Sequence, residues 1–166
     1  MEFKESKEKF IQSWGVLGSS WGINRTMAQI HALLLISPEI LSTEEIMSEL
    51  QISRGNANMN IRALMDWGIV TKHFKTGERK DFFFADKDIW EIARKITKER
   101  SKREIEPVIR ILNELKGVEG ESAEIKQFKQ TVGDLESFTS KLNSVVDKFV
   151  KSDEHWFYKN LLKIVK

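Results

Sequence analysis

Between Ser53 and Arg62 the chain reads Ser53-Arg54-Gly55-Asn56-Ala57-Asn58-Met59-Asn60-Ile61-Arg62, three asparagines in alternation with an arginine near each end. These side chains suit the edges of DNA bases. An asparagine amide bonds adenine in two places, an arginine forks onto guanine, and a methionine touches a thymine methyl. Gly55 removes a side chain where backbone and phosphate must approach closely. Asparagine is a poor helix former, so three in one helix cost local stability without local return. That cost favours a contact role over a solvated surface face. Ser53, Arg54, Gly55, Asn56, Asn58, Met59, Asn60 and Arg62 are therefore expected to contact double-stranded DNA.

The helix that would carry them is written into the same stretch. Ser53 is an N-cap type, Ala57, Ile61 and Leu64 repeat at 4-3 spacing, and the helix should end near Trp67-Gly68. On a wheel centred on that apolar face, the opposite side carries Gly55, Asn56, Met59 and Arg62, with Asn58 and Asn60 on the flanks. The period then changes. Ile69–Phe74 and Asp81–Ala85 are rich in branched and aromatic residues and flank Lys75-Thr76-Gly77-Glu78-Arg79-Lys80, which predicts a β-hairpin with a basic tip. Lys72, Lys75, Arg79 and Lys80 are the expected phosphate contacts of this wing, with Arg54 beside them.

Upstream, Phe10, Trp14, Leu17 and Trp21 recur at 4-3-4 spacing in a first helix that stops at Gly22. Asn24 caps a second helix, Arg25 to about Ile36, with Met27, Ile30, Leu33, Leu34 and Leu35 mostly in the core. A short stretch, Ile40-Leu41-Ser42, precedes a compact helix running to about Leu50. Thr43 is its expected cap, with Thr43-Glu44-Glu45-Ile46 approximating a capping box. Helix, helix, short strand, helix, tight turn, helix and hairpin is the order of a winged helix-turn-helix.

Downstream the helical period returns through Ile89, Ile92, Ala93 and Ile96, and again from Ile105 to Leu115, with Pro107 restarting the helix. After a Gly117–Gly120 loop, Ile125, Phe128, Val132, Leu135, Phe138, Leu142, Val145 and Phe149 form a long partner-seeking stripe. A last apolar helix is expected over residues 155–165. The fold class is mainly α with a small β-hairpin wing: a winged helix-turn-helix DNA-binding domain plus a helical dimerisation region. Residues 1–22 are expected to contribute to dimerisation, 23–86 to form the DNA-binding domain, and 87–166 to form a helical linker and dimerisation region.

The 166 residues carry 40% hydrophobic and 31% charged side chains, with five Trp and ten Phe, enough to fold. The net charge of +2 is no polycation's, but its distribution is uneven. Residues 53–85 hold a surplus of basic groups, whereas residues 1–52 are net acidic. Absence of cysteine excludes disulfides, thiolate zinc sites and cysteine nucleophiles. His31, His73 and His155 are isolated from one another, so no metal and no other cofactor is expected. With no phosphate loop, nucleophile elbow or paired-carboxylate motif, the chain does not read as an enzyme. Neither a secretory signal nor a membrane span is visible, and a cytoplasmic location is expected.

From Ser53 to Val70 the sequence resembles the recognition-helix signature of the GbsR branch of MarR-like transcriptional regulators. Trp14-Gly15, Trp21-Gly22 and the all-helical tail are similar to that branch too. The resemblance implies a homodimeric DNA-binding repressor. The MarR wing pattern, Asp-x-Arg followed by a Leu-Thr pair, is absent between Lys75 and Ala85. Relatives in this branch are linked to choline-like quaternary amines, which aromatic faces bind well. Trp14, Trp21, Trp67 and Trp90 are accordingly the candidate small-molecule effector residues, against the plainer expectation that they pack the core. The resulting expectation is a regulator that binds a near-palindromic operator as a homodimer, with half-sites about 34 Å apart. A winged helix that docks protein through the 125–149 stripe is the alternative.

Overall fold

Side-chain caps begin α-helices at several of the polar residues that punctuate the sequence. In the computed structural model, which describes residues 2–153 together with His155, Phe157 and Lys159, α1 spans Phe3–Ser20 and α2 spans Arg25–Ile36. Asn24 Oδ1 accepts the Met27 N–H at 3.2 Å to open α2, and Gly22 at φ 75° makes the turn before it. β1 is Leu41–Ser42, α3 Thr43–Leu50 and α4 Arg54–Asp66, opened by Ser53 Oγ accepting the Asn56 N–H. β2, Val70–His73, and β3, Phe82–Ala85, form the hairpin, whose tip turns at Gly77 with φ 85°. α5 is Ile89–Glu104, α6 Glu106–Leu115 and α7 Ala123–Lys151. The helix expected over residues 155–165 falls largely outside the described residues.

β1 extends the hairpin into a three-stranded antiparallel sheet of order β1-β3-β2. Leu41 pairs with Phe83 and Ser42 with Phe82, while Val70 pairs with Ala85 and His73 with Phe82. Ile30, Leu33, Leu34, Ile46, Ile61, Leu64 and Ile69 are fully buried, so α2, α3, α4 and the root of the hairpin close over one core. A mainly helical chain with this small sheet is consistent with a winged helix.

Two details differ from the sequence expectation. The cap of α3 is Ser42, one residue before Thr43. This shift completes the capping box: Ser42 Oγ accepts the Glu45 N–H at 3.3 Å, and Glu45 Oε2 accepts the Ser42 N–H at 2.7 Å. In α1 the residues packed inward are Ile11, Gly15 and Gly18, not the Phe10-Trp14-Leu17-Trp21 stripe. A Cβ on Gly18 would lie 2.5 Å from Ala28 Cβ, so the two glycines let α1 approach α2 at backbone distance. Phe10 and Trp14 stack on each other at 5.4 Å, and Leu17 and Trp21 face solvent.

The chain divides into two compact units, Met1–Ile92 and Ala93–Lys166. In the first, Lys87 Nζ donates to the carbonyls of Leu34, Leu35 and Ser37, each at 2.7 Å, and lies 4.7 Å from the Phe84 ring centroid. Its charge thus closes the C-terminal end of α2, where orphan carbonyls favour a cation. In the second, Pro107 restarts the helix as α6, Ser122 caps α7, and α6 packs on α7 around Leu112 and Val132. Ser101 Oγ donates to Asn143 Oδ1 at 2.8 Å, and Arg94 reaches the carbonyl of Ser152 at 3.1 Å. Val108, Ile111, Leu115, Leu135, Phe138, Leu142 and Val145 of this unit are exposed, Phe138 by 66%. No helix among the described residues is long and apolar enough to cross a membrane.

Candidate nucleic-acid interface

α4 turns Ala57, Ile61 and Leu64 into the core, as the 4-3 spacing requires. This leaves Arg54, Gly55, Asn58, Met59 and Arg62 exposed along one outer face, with Ser53 exposed at its start. Met59 is 60% exposed, an apolar side chain that nothing local shields. Space around Gly55 is open, so a ligand meets bare backbone there.

Two of the three asparagines behave differently from the sequence expectation. Asn60 is only 3% exposed and faces inward; its Nδ2 donates to Asn56 O at 2.9 Å and to Asn56 Oδ1 at 2.7 Å. It cannot reach a base edge, because the wheel position it shares with Ala57 and Ile61 puts it under α4. Asn56 is half-buried, and its Nδ2 lies 3.5 Å from Thr26 Oγ1 in the first turn of α2. Of the three, only Asn58 is exposed. Alternation in sequence marked three amides alike; four-residue helical neighbourhood separates them.

The cations also have partners that composition could not assign. Arg54 Nη2 donates to Glu44 Oε1 at 2.8 Å, joining the start of α4 to the first turn of α3. Glu44 is held below the usual carboxylate range by a hydrogen bond from its own backbone N–H and then by Arg54. Glu45, held down by the Ser42 N–H and hydroxyl, also feels Lys75 and Lys80. In the wing, Lys72 pairs with Asp81 at 2.9 Å, and Lys75 Nζ sits 4.5 Å from the Phe82 ring centroid. Arg79 and Lys80 stand exposed at the tip. Asn58, Arg62 and Met65 of α4 share a cleft of about 190 Å³ with Lys72, Asp81 and Phe83, so helix and wing present one continuous surface.

The other candidates fall elsewhere. Trp67 is 6% exposed and built into the core at the end of α4. Trp14, Trp21 and Trp90 lie on α1, at its end and on α5. His31 is buried in α2 with Nε2 unbonded, and burial, followed by the charge of Lys87, lowers its pKa to about 4. His73 Nε2 is 3.0 Å from Thr71 Oγ1. Among the described residues no three of His, Cys, Asp or Glu gather as a metal site. Sequence reasoning missed Thr26, Glu44 and Asp81, whose contacts with Asn56, Arg54 and Lys72 join different elements; only the four-residue spacing of Asn56 and Asn60 was readable in advance.

No family model matches the chain. It is similar to the HTH-type transcriptional repressor GbsR of Bacillus subtilis (strain 168), 23% identical over 111 residues, 67% of this chain and 61% of that protein. The chain thus spans less than two thirds of the curated relative it matches. A crystal structure of a transcriptional regulator shares its fold with a TM-score of 0.67, over 87% of this chain and 95% of that one, at 18% identity.

Proposed function

We propose that the chain is a sequence-specific double-stranded DNA-binding transcriptional regulator, a repressor acting as a homodimer on a near-palindromic operator. The observation that carries this reading is the joint surface of α4 and wing: Asn58, Met59 and Arg62 outward beside Lys72, with Lys75, Arg79 and Lys80 beyond. Base edges are read by the first set in the major groove, phosphates by the second together with Arg54. Ser53 and Gly55 admit the backbone at the helix start. The similarity to a repressor and to a regulator of known structure supports the same conclusion.

Residues 23–86 are the DNA-binding domain in this reading. Residues 1–22 contribute to dimerisation and residues 87–166 form a helical linker and dimerisation region, supported by the exposed faces of α1 and of the α6–α7 pair. A small-molecule effector touching Trp14, Trp21 or Trp90 would weaken DNA binding only through different affinity for the bound and free states. The protein works in the cytoplasm, where its DNA is.

Fluorescence anisotropy with labelled duplexes over a salt series tests the reading. Phosphate contacts release counterions, so affinity falls steeply as salt rises, and Arg79→Ala with Lys80→Ala lowers affinity for every duplex and flattens that slope. A protein-docking module, which the exposed α7 stripe also suits, would bind DNA weakly and its partner with little salt dependence. Salt-insensitive binding, or none, contradicts the proposal.

A further inference from the structure

The chain Asn60–Asn56–Thr26 fixes the polarity of the half-buried amide at the start of α4. Asn60 Nδ2 donates to a backbone carbonyl, that of Asn56, which can only accept. The identity of that nitrogen is therefore settled by chemistry, and the Asn56 side-chain atom 2.7 Å from it must be the oxygen. Asn56 Oδ1 consequently faces Asn60, and its Nδ2 faces the first turn of α2, where it meets Thr26 Oγ1 at 3.5 Å, on a residue that is half-buried and so partly open to solvent. An amide carries two hydrogens on that nitrogen, and one long bond to a hydroxyl leaves a donor for a ligand.

Resting on the DNA-binding reading above, we infer that Asn60 is a positioning residue that makes Asn56 a hydrogen-bond donor toward an acceptor oxygen or ring nitrogen of the DNA. Two-point pairing with adenine needs both Oδ1 and Nδ2 in the groove. With the oxygen held by Asn60 at 2.7 Å, that pairing is closed to Asn56. The acceptor is either a phosphate oxygen or a base edge. Asn60, at 3% exposure, never touches DNA itself. Its buried amide, unlike an apolar side chain, fixes which atom of the Asn56 amide is left to donate.

A double-mutant cycle on the duplex that the wild-type chain selects from a random pool tests this. Asn56→Ala should weaken binding about tenfold. Asn60→Leu, of similar volume and suited to a buried site, should weaken it by about fivefold with an unchanged thermal midpoint. The double variant should bind no more weakly than Asn56→Ala alone. Uniform loss across all duplexes identifies a phosphate acceptor, and loss confined to the selected duplex a base edge; either supports the inference. Multiplying effects in the double variant, or wild-type affinity for Asn60→Leu, overturns it. Should Asn60→Leu lower the midpoint, Thr26→Val at the other end of the chain replaces it, with about a twofold loss that vanishes on the Asn56→Ala background; a loss that persists there overturns the inference. A wild-type chain that selects no duplex overturns the DNA reading itself, and this inference with it.

Discussion

His31 sits inside α2 with its ring neutral, 3% exposed and its pKa lowered to about 4 by burial and then by the nearby Lys87 ammonium. Unfolding returns it to an ordinary value near 6.5, so below that pH the unfolded chain binds a proton the folded chain refuses. The contribution of His31 to stability is complete above pH 6.5 and is lost as pH drops toward 4, by about 3 kcal/mol at most. Urea titrations from pH 7 to 4 should show this slope, and His31→Leu should remove it; a variant with the same slope would assign the acid sensitivity to other groups. Arg54 and Glu44 are 2.8 Å apart, so in the proposed DNA complex Glu44 would compete with phosphate for Arg54. Glu44→Gln should tighten binding to all duplexes a few-fold at low salt, with the gain shrinking as salt screens it. Unchanged affinity would show that Arg54 does not meet phosphate. Residue types alone pointed to Arg62, Asn58 and the wing lysines. They could not tell Asn60 from Asn58, since that difference depends on which side of α4 faces α2.

At the scale of elements, boundaries follow local chemistry closely. Asn24, Ser53 and Ser122 all cap where cap types precede apolar periodicity. The box at α3 slipped by one residue because both Ser42 and Thr43 are cap types; the acid three positions along, Glu45, selects Ser42. Ser42→Ala should cost about 1 kcal/mol in thermal or urea unfolding. The packing face of α1 was harder to read, since aromatic stripes outweigh glycines in any hydrophobic pattern, while close helix approach depends on the glycines. Gly18→Ala drives a methyl to 2.5 Å from Ala28 Cβ and should cost about 1–3 kcal/mol by overpacking. An unchanged midpoint would mean that α1 lies elsewhere in solution. The Lys87 clamp on α2 was not legible at all, because it joins residues about fifty positions apart through backbone carbonyls that carry no sequence signature.

For the whole molecule, the proposed operator reading requires two copies. A single recognition helix spans only a few base pairs, and a near-palindrome about one DNA turn apart needs a two-fold partner. Leu135, Phe138, Leu142 and Val145 on α7, with Val108 and Ile111 on α6, are exposed and are the side chains expected to meet that partner. Phe138→Glu should convert a dimer to a monomer in sedimentation equilibrium and weaken binding to the full site far more than to a half-site. The stripe's existence was plain from its spacing; what covers it is a property of assembly and lies beyond one chain's pattern.

In the proposed function the outward face of α4 reads sequence. Selection of bound duplexes from a random-sequence pool by the purified protein, with Arg62→Ala in parallel, tests it most directly. The expected result is enrichment of a near-palindrome with half-sites about one turn apart, lost or relaxed by the variant at a cost of about 1–3 kcal/mol. A pool that emerges unenriched, or the same motif selected equally by Arg62→Ala, would contradict it.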